Sequence, residues 1–211
     1  MLGWPAPWSC LFRDRMDHDP VLPVLGELLG DSFRLDHVYG IGMTEGAEGF
    51  VLHGGGTAAN LTSLFQFHNG KMRCGLTVVA WQLTDAGPND GGFCCIPGSH
   101  KANYPCPRSI TRVEQDAGCI RPIPLRAGSV LIFTEALTHG TLPWRGSHER
   151  RAILFKYSPG PMTWAREAIS PELRECLDEF TPRQRALLEP PYEWGRPNVA
   201  WSVGETGVVT A

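Results

Sequence analysis

Short apolar runs separated by glycine- and proline-rich turns fill the chain from about residue 33 to residue 159, a pattern typical of β-strands. The longest run, residues 75–83 (GLTVVAWQL), is almost continuously apolar and predicts a strand that is buried on both faces. Short strands of this kind favour a sandwich or barrel of jelly-roll type. The other strands that the pattern predicts are residues 34–42, 49–53, 61–67, 91–96, 129–134 and 151–157.

Helical patterns flank this β region. Residues 18–30 predict a short helix, because leucines fall on one side of it and a glycine ends it. Two later stretches, PELRECLDEF and TPRQRALLEP, begin at Ser170-Pro171 and Thr181-Pro182, which are residue pairs that favour helix N-termini. The chain therefore predicts a mostly β fold with helices on both sides of it.

The size and composition of the chain favour one domain. At 211 residues it can bury one substantial core and is short for two. A net charge of -3 without a basic stripe gives no sign of a nucleic-acid partner, and no apolar run approaches the ~18 residues of a membrane span. We predict a single domain over residues 1–211, with a jelly-roll core of about 33–160 and a helical region of about 161–190.

The seven cysteines do not form the spacing of a zinc site or of a disulfide framework. Cys94 and Cys95 are adjacent, and the other five are scattered without a C-x2-C pair. The apolar N-terminus is interrupted by Pro5 and Pro7 and soon reaches Arg13, which is unlike a signal peptide. We therefore predict a cytoplasmic protein whose cysteines act as small apolar residues.

Two histidines beside glycines are candidate metal ligands: His53 in LHGGG and His139 in LTHGT. A non-haem iron site needs two imidazoles and usually one carboxylate on one face. Arg150, eleven residues after His139, offers a planar guanidinium to the carboxylate of a metal-bound ligand, and Thr141 offers a hydroxyl. The alternative is that the arginine is a solvated charge at a strand edge and the threonine a turn residue.

Four stretches of the β region resemble the core of the phytanoyl-CoA dioxygenase-like proteins. They are LTVVAWQLTD (76–85), NDGGF (89–93), IPGSHK (96–101) and AGSVLIF (127–133), which runs on towards His139-Gly140-Thr141 and Arg150. The resemblance covers about residues 33–160. It implies a double-stranded β-helix that uses Fe(II) and 2-oxoglutarate to oxidise an aliphatic C–H bond of a small molecule, with no nucleic-acid or membrane partner.

The resemblance also implies roles for single residues. His53 matches the first iron ligand and His139 the distal one, while Arg150 matches the residue that grips the far carboxylate of 2-oxoglutarate, assisted by Thr141. Trp81 matches an aromatic residue beside the co-substrate, with plain core packing as its alternative.

Two further histidines are weighed against this assignment. His68 is a rival to His53 as the first ligand, but it lies close to Trp81 in sequence, so His53 is preferred. His100, in the Pro-Gly-Ser-His turn, is expected to have a structural role.

The sequence departs from the family pattern at Gly55, where family hydroxylases carry an aspartate. In the related radical halogenases, a glycine or alanine there leaves room for chloride on the iron. Three explanations stay open: chloride fills the gap, a carboxylate from Glu135, Glu45 or Asp36 fills it, or the site is degenerate and the protein only binds a small molecule. Oxygenation of the hydroxylase type is the preferred expectation.

The segment before the predicted core is also short. Only about thirty residues precede Phe33, whereas the resemblance implies a longer leader. A missing strand would leave an exposed sheet edge, and such an edge favours dimers. We expect a monomer or a homodimer.

Overall fold

The computed structural model describes residues 1–55, 61–102, 104–115, 117–166 and 169–200. The chain divides into two compact units. One contains residues 1–38, residues 67–73 and the chain from 155 onward, and the other contains residues 39–66 and 74–154. The second unit carries most of the predicted jelly roll.

The described residues form short helices and strands, which include the predicted elements and several short ones that the sequence pattern did not indicate. The helices are α1 (Trp8–Met16), α2 (Leu22–Leu29), α3 (Arg108–Thr111), α4 (Pro171–Glu175) and α5 (Pro182–Leu188). The strands are β1 (Arg34–Met43), β2 (Phe50–His53), β3 (Phe65–His68), β4 (Lys71–Cys74), β5 (Thr77–Gln82), β6 (Gly92–Cys95), β7 (Arg121–Pro122), β8 (Val130–Thr134), β9 (His139–Leu142) and β10 (Arg150–Ser158).

Two four-stranded sheets build the second unit. One has the order β1-β10-β5-β8, with residues 39–43 and 150–154 as its share of β1 and β10, and the other has the order β2-β9-β6-β7. The pairs β5–β8, β6–β9, β6–β7 and β2–β9 are antiparallel. Sheets of this kind with crossovers between distant strands form a jelly roll. The predicted fold class, a mostly β double-stranded β-helix with flanking helices, is confirmed.

Apolar side chains from both sheets form the core of this unit. Val78 and Ala80 on β5 and Phe133 on β8 pack with Phe93 and Cys95 on β6. All six residues of β5 are buried, as the continuous apolar run predicts. This core forms the floor beneath the candidate site.

The first unit contains the helices with predicted N-terminal caps. The Ser170 side chain accepts a hydrogen bond from the backbone N–H of Leu173, and Thr181 forms a reciprocal capping box with Gln184. Both helices therefore begin where the sequence predicts, although α4 ends at Glu175 and a 3-10 turn follows it.

Two predicted elements are wrong in detail. Residues 61–67 were expected to be one strand, but Leu61–Ser63 form a 3-10 turn and the strand begins at Phe65. The His-Gly-Thr-Leu segment was not among the predicted strands, but it forms β9, because it pairs with β6 on one side and β2 on the other. Polar and glycine residues concealed this short strand in the sequence.

Two findings concern the environment of the chain. None of the helices that the structure describes is long and apolar enough to cross a lipid bilayer. The seven cysteines all lie in described segments and are unbridged, and three of them, Cys74, Cys94 and Cys95, are buried.

Candidate metal and co-substrate site

His53, Glu135 and His139 converge at the edge of the β2–β9 pair. His53 ends β2 and lies opposite His139, the first residue of β9, with 4.3 Å between the two ring centroids. Glu135 lies on the turn that follows β8, and one of its carboxylate oxygens is 3.9 Å from Nε2 of His139. The ligand atoms of the three side chains all lie within 4.8 Å of one another, a grouping that can hold a metal ion.

Backbone carbonyls fix the protonation of both imidazoles. Nδ1 of His139 lies 2.7 Å from the carbonyl oxygen of Leu137, and Nδ1 of His53 lies 3.3 Å from that of Val51. Because a carbonyl oxygen can only accept, Nδ1 carries the hydrogen in each ring. In the neutral form of each ring, Nε2 therefore keeps its lone pair, as a metal ligand requires.

Two phenylalanines hold the His139 ring in place. Phe133 packs edge-on against it at 4.6 Å, and Phe93 stacks on it at 6.0 Å. His139 is buried, whereas His53 is exposed and has only Phe50 edge-on at 5.4 Å. One ligand is therefore anchored in the core, and the other faces solvent.

The two histidines open onto a cavity of about 440 Å³. This volume is in the range of small-molecule sites in proteins. Its walls are mostly apolar, and the polar or charged groups that line it with the two histidines are Tyr39, Glu48, Gln82, Thr141 and Arg150.

Arg150 reaches this cavity from the start of β10. It is buried, its Nη1 contacts the sulfur of Met43 at 3.7 Å, and its buried Nε has no hydrogen-bond partner among the described residues. Burial lowers the pKa of its guanidinium, but arginine remains a cation at any physiological pH. Since a buried charge is costly unless it is paired, the cavity suits an anionic ligand.

Gly92 leaves room for the Arg150 side chain because it has no side chain of its own. Its φ of +77° is in the left-handed region, and a Cβ atom built there would lie 3.0 Å from both Cδ and Nε of Arg150. A larger residue at position 92 would therefore meet both backbone strain and a clash.

Thr141 lies two residues beyond His139, so the two side chains share one face of β9. Its hydroxyl oxygen accepts a hydrogen bond from the backbone N–H of Phe50 at 2.9 Å. The hydroxyl hydrogen can then be donated to a ligand in the cavity that Thr141 lines.

Gly55 cannot easily be replaced by the aspartate of the family pattern. Its φ is +74°, and a Cβ atom there would lie 2.7 Å from the hydroxyl oxygen of the buried Thr138. The position that the sequence singled out is therefore shaped for a residue without a side chain.

The structure places the other candidate residues elsewhere. Trp81 does not line the cavity: its neighbours Ala80 and Gln82 do, so alternation along β5 turns Trp81 to the opposite face, as in the core-packing alternative. His68 is exposed on β3 and is not in the cluster with His139, and His100 packs against Phe65.

The three acids that the sequence offered as a replacement for the missing aspartate lie in different places. Asp36 is buried in the first unit, where it accepts hydrogen bonds from Arg34 and from the backbone of Trp164. Glu45 is exposed and is not part of the cluster, so Glu135 is the candidate acid that the fold brings to the histidines.

Sequence reasoning missed three residues that line the outer part of the cavity: Tyr39, Glu48 and Phe50. Tyr39 and Phe50 are exposed aromatic side chains at 37% and 62%. Their apolar character predicted burial in strands, and only the sheet geometry turns them towards the cavity.

Comparisons with known proteins identify the family of the chain. The family model of phytanoyl-CoA dioxygenase matches residues 46–152. The chain belongs to the phytanoyl-CoA dioxygenase family. This family of Fe(II)- and 2-oxoglutarate-dependent oxygenases matches the resemblance that the sequence motifs carry. No curated protein sequence matches the chain at a significant level.

Several solved structures are similar to the chain. HygX from Streptomyces hygroscopicus with nickel and 2-oxoglutarate bound is 29% identical, with a TM-score of 0.68 over 79% of this chain and 75% of that chain. HygX with iron bound is 28% identical, with a TM-score of 0.66 over the same shares. AviO1 from Streptomyces viridochromogenes Tue57 is 18% identical, with a TM-score of 0.58 over 78% of this chain and 67% of that chain, and it shows the fold alone.

Proposed function

We propose that this protein is an Fe(II)- and 2-oxoglutarate-dependent oxygenase that oxidises an aliphatic C–H bond of a small molecule. The observation that carries the proposal is one cavity lined by two histidines of a metal-ligand cluster (His53 and His139, with Glu135 beside them) and by the buried cation of Arg150. The Nε of Arg150 has no hydrogen-bond partner among the described residues. A ligand that chelates a metal at one end and carries a carboxylate at the other satisfies both features, and 2-oxoglutarate is such a ligand.

The bound iron and 2-oxoglutarate supply the oxidising chemistry: 2-oxoglutarate loses CO2 and becomes succinate with one atom of O2, and the other atom converts R–H to R–OH. His53 and His139 hold the metal through Nε2. Arg150 binds the distal carboxylate, and the Thr141 hydroxyl adds a hydrogen bond to it. These contacts orient the co-substrate before the reaction.

The residues that line the cavity also contribute to the proposed reaction. Phe93, Leu131 and Phe133 line the cavity and offer apolar surface that would exclude water from the reaction. Tyr39 and Phe50 offer exposed aromatic faces to a substrate at the outer part. HygX has been crystallised with nickel, 2-oxoglutarate and hygromycin B bound, which supports a small-molecule substrate for this protein.

An anaerobic titration with Fe(II) and 2-oxoglutarate tests the proposal through the visible charge-transfer band of the chelate. We expect a band with the wild-type protein, and no band or a much weaker one with His53→Ala and His139→Ala. The matched control is His68→Ala, which removes an exposed histidine outside the cluster and should leave the band unchanged.

Two outcomes would overturn the proposal. Absence of the band in the wild-type protein would favour a jelly-roll protein that binds a small molecule without catalysis. A band that survives both histidine substitutions would place the metal at other residues.

A further inference from the structure

The turn after His53 is tied to Glu135 through the backbone. The N–H of Gly55 donates a hydrogen bond to the carbonyl oxygen of Glu135 at 3.3 Å. The residue that stands in the position of the family's acid is therefore in direct contact with the backbone of another acidic residue. Glu135 is thus placed to offer a carboxylate to the same site.

The Glu135 carboxylate lies on the metal side of His139. A carboxylate that only orients a ligating histidine accepts a hydrogen bond from the nitrogen that does not bind the metal. In this protein the carbonyl of Leu137 takes that role at Nδ1, and Glu135 faces Nε2 instead. A metal bound to Nε2 would therefore lie next to the Glu135 oxygen.

The distances suit one shared ion. Bonds from a divalent metal to nitrogen or oxygen are about 2.0–2.2 Å, so two ligands of one ion lie at most about 4.4 Å apart. The 3.9 Å between Glu135 and Nε2 of His139 is within this limit. The whole cluster, within 4.8 Å, needs to close by only a few tenths of an ångström, which rotation of a side chain supplies.

Burial gives the Glu135 carboxylate a reason to bind a cation. Its side chain is only 11% exposed, and one of its oxygens faces Nε2 of His139. A divalent cation between Glu135 and the two imidazoles would bring an opposite charge next to this buried carboxylate.

We infer that Glu135 is the third protein ligand of the metal and takes the place of the aspartate that Gly55 lacks. The ligand set is then His53, Glu135 and His139, with the acid four residues before the distal histidine. This inference rests on the proposed function and deepens it. The position that a halogenase leaves for chloride is filled, so the expected outcome of the reaction is oxygenation.

The test compares Fe(II) binding by the wild-type protein, Glu135→Ala and Glu135→Gln, with and without chloride, under anaerobic conditions. Even residues that only orient a ligand change metal affinity about 10–100-fold, so loss of Glu135 should weaken Fe(II) binding by more than about tenfold. Glu135→Ala should regain part of its affinity in chloride, because the anion can enter the vacated position. The wild-type affinity and charge-transfer band should not respond to chloride.

The control is Glu45→Ala, which removes an exposed acid outside the cluster and should leave Fe(II) affinity unchanged. Circular dichroism and thermal melting of the metal-free variants separate misfolding from loss of a ligand. Glu135→Gln keeps the shape of the side chain, so it reports the charge if the alanine variant fails to fold.

Two results would overturn the inference. One is Fe(II) affinity in folded Glu135→Gln and Glu135→Ala equal to that of the wild type. The other is a wild-type band that strengthens with chloride. If His139→Ala loses the metal in the same experiments, only the role of Glu135 fails; if His139→Ala also binds normally, the proposed function fails with it.

Discussion

Arg150 and Gly92 are packed so closely that a single added carbon at position 92 would lie 3.0 Å from two atoms of the arginine side chain. The guanidinium is buried at 4% exposure, so it cannot move aside into solvent without leaving the cavity wall. A strand glycine on β6 therefore sets the position of a cation on β10. A substitution at Gly92 therefore tests the proposed role of Arg150 in binding the co-substrate.

We expect Gly92→Ala to weaken 2-oxoglutarate binding while Fe(II) binding stays intact. Overpacking of this kind costs about 1–3 kcal/mol. If this cost displaces Arg150 from its position, the affinity for 2-oxoglutarate falls about 5–150-fold. Isothermal titration under anaerobic conditions measures both constants. The control is Gly128→Ala, because Gly128 has a similar φ of +82° but open space around a built Cβ. Equal loss in both variants would refute the role of Gly92.

The neighbouring arginines 150 and 151 provide a matched pair. Truncating one partner of a buried charge pair costs about 2–5 kcal/mol, so Arg150→Met should lose at least about thirtyfold in 2-oxoglutarate affinity. Arg151 is exposed and paired with Glu149, and Arg151→Met should bind 2-oxoglutarate normally.

Arg150→Met also allows a prediction about the thermal stability of the protein. Because Arg150 is a buried cation without a carboxylate partner among the described residues, Arg150→Met should leave the thermal midpoint of the ligand-free protein unchanged or raise it. In the binding experiment, unchanged 2-oxoglutarate affinity of Arg150→Met would show that the co-substrate carboxylate binds elsewhere.

Restoring the family's acid should not restore a better site. We expect Gly55→Asp to destabilise the protein by about 1–3 kcal/mol, because φ is +74° and the new Cβ would meet Thr138. Gly55→Ala carries the same backbone strain without the carboxylate, and the two variants should bind Fe(II) equally. Urea unfolding and Fe(II) titration measure the two effects. A folded Gly55→Asp that binds Fe(II) much more tightly than Gly55→Ala would contradict this prediction.

Alkaline pH should destabilise the protein through two buried thiols. Burial raises the pKa of Cys74 and of Cys94 to about 11. In the unfolded chain a thiol titrates near about 8.5, so above that pH the unfolded state loses protons that the folded state keeps. The contribution of these thiols to the free energy of unfolding should therefore be constant below about pH 8 and fall by up to about 2–3 kcal/mol per thiol as the pH rises to about 11.

Urea unfolding at a series of pH values measures this slope. Burial also raises the pKa of Tyr157, which acts in the same direction, so the informative comparison is between the wild type and Cys94→Ala. The variant should show a shallower fall. Identical slopes in the two proteins would mean that Cys94 titrates normally.

Much of the site could be predicted because its chemistry is local in sequence. His139 and Thr141 are two residues apart, and Arg150 follows on the next strand, so their residue types and spacing alone indicate a metal and a carboxylate ligand. Most of the longer strands also followed from local pattern, since apolar runs and turn residues mark their ends.

Trp81 shows what the sequence could not decide. All positions of β5 are buried, so polarity does not distinguish the face that lines the cavity from the face that packs away from it. Only the pairing of β5 with its neighbours turns Ala80 and Gln82 towards the cavity. The place of Glu135 was undecided for a related reason, because the geometry of a turn sets whether its carboxylate faces Nδ1 or Nε2 of His139.

Glu135 and His139 belong to one short turn that is fastened at two points. The N–H of Leu137 donates to the carbonyl of Thr134 at 2.9 Å, and the N–H of Thr138 donates to the hydroxyl of Ser99 at 2.7 Å. If both residues bind the metal as proposed, binding by one holds the metal at a high effective concentration near the other.

His53 arrives on a different strand and is exposed. We therefore expect a metal ion to bind first to Glu135 and His139 on the turn, and the exposed imidazole of His53 to bind it afterwards. The rate at which the protein loses its metal to a chelator should then be set by the release of His53, the most exposed of the three proposed ligands.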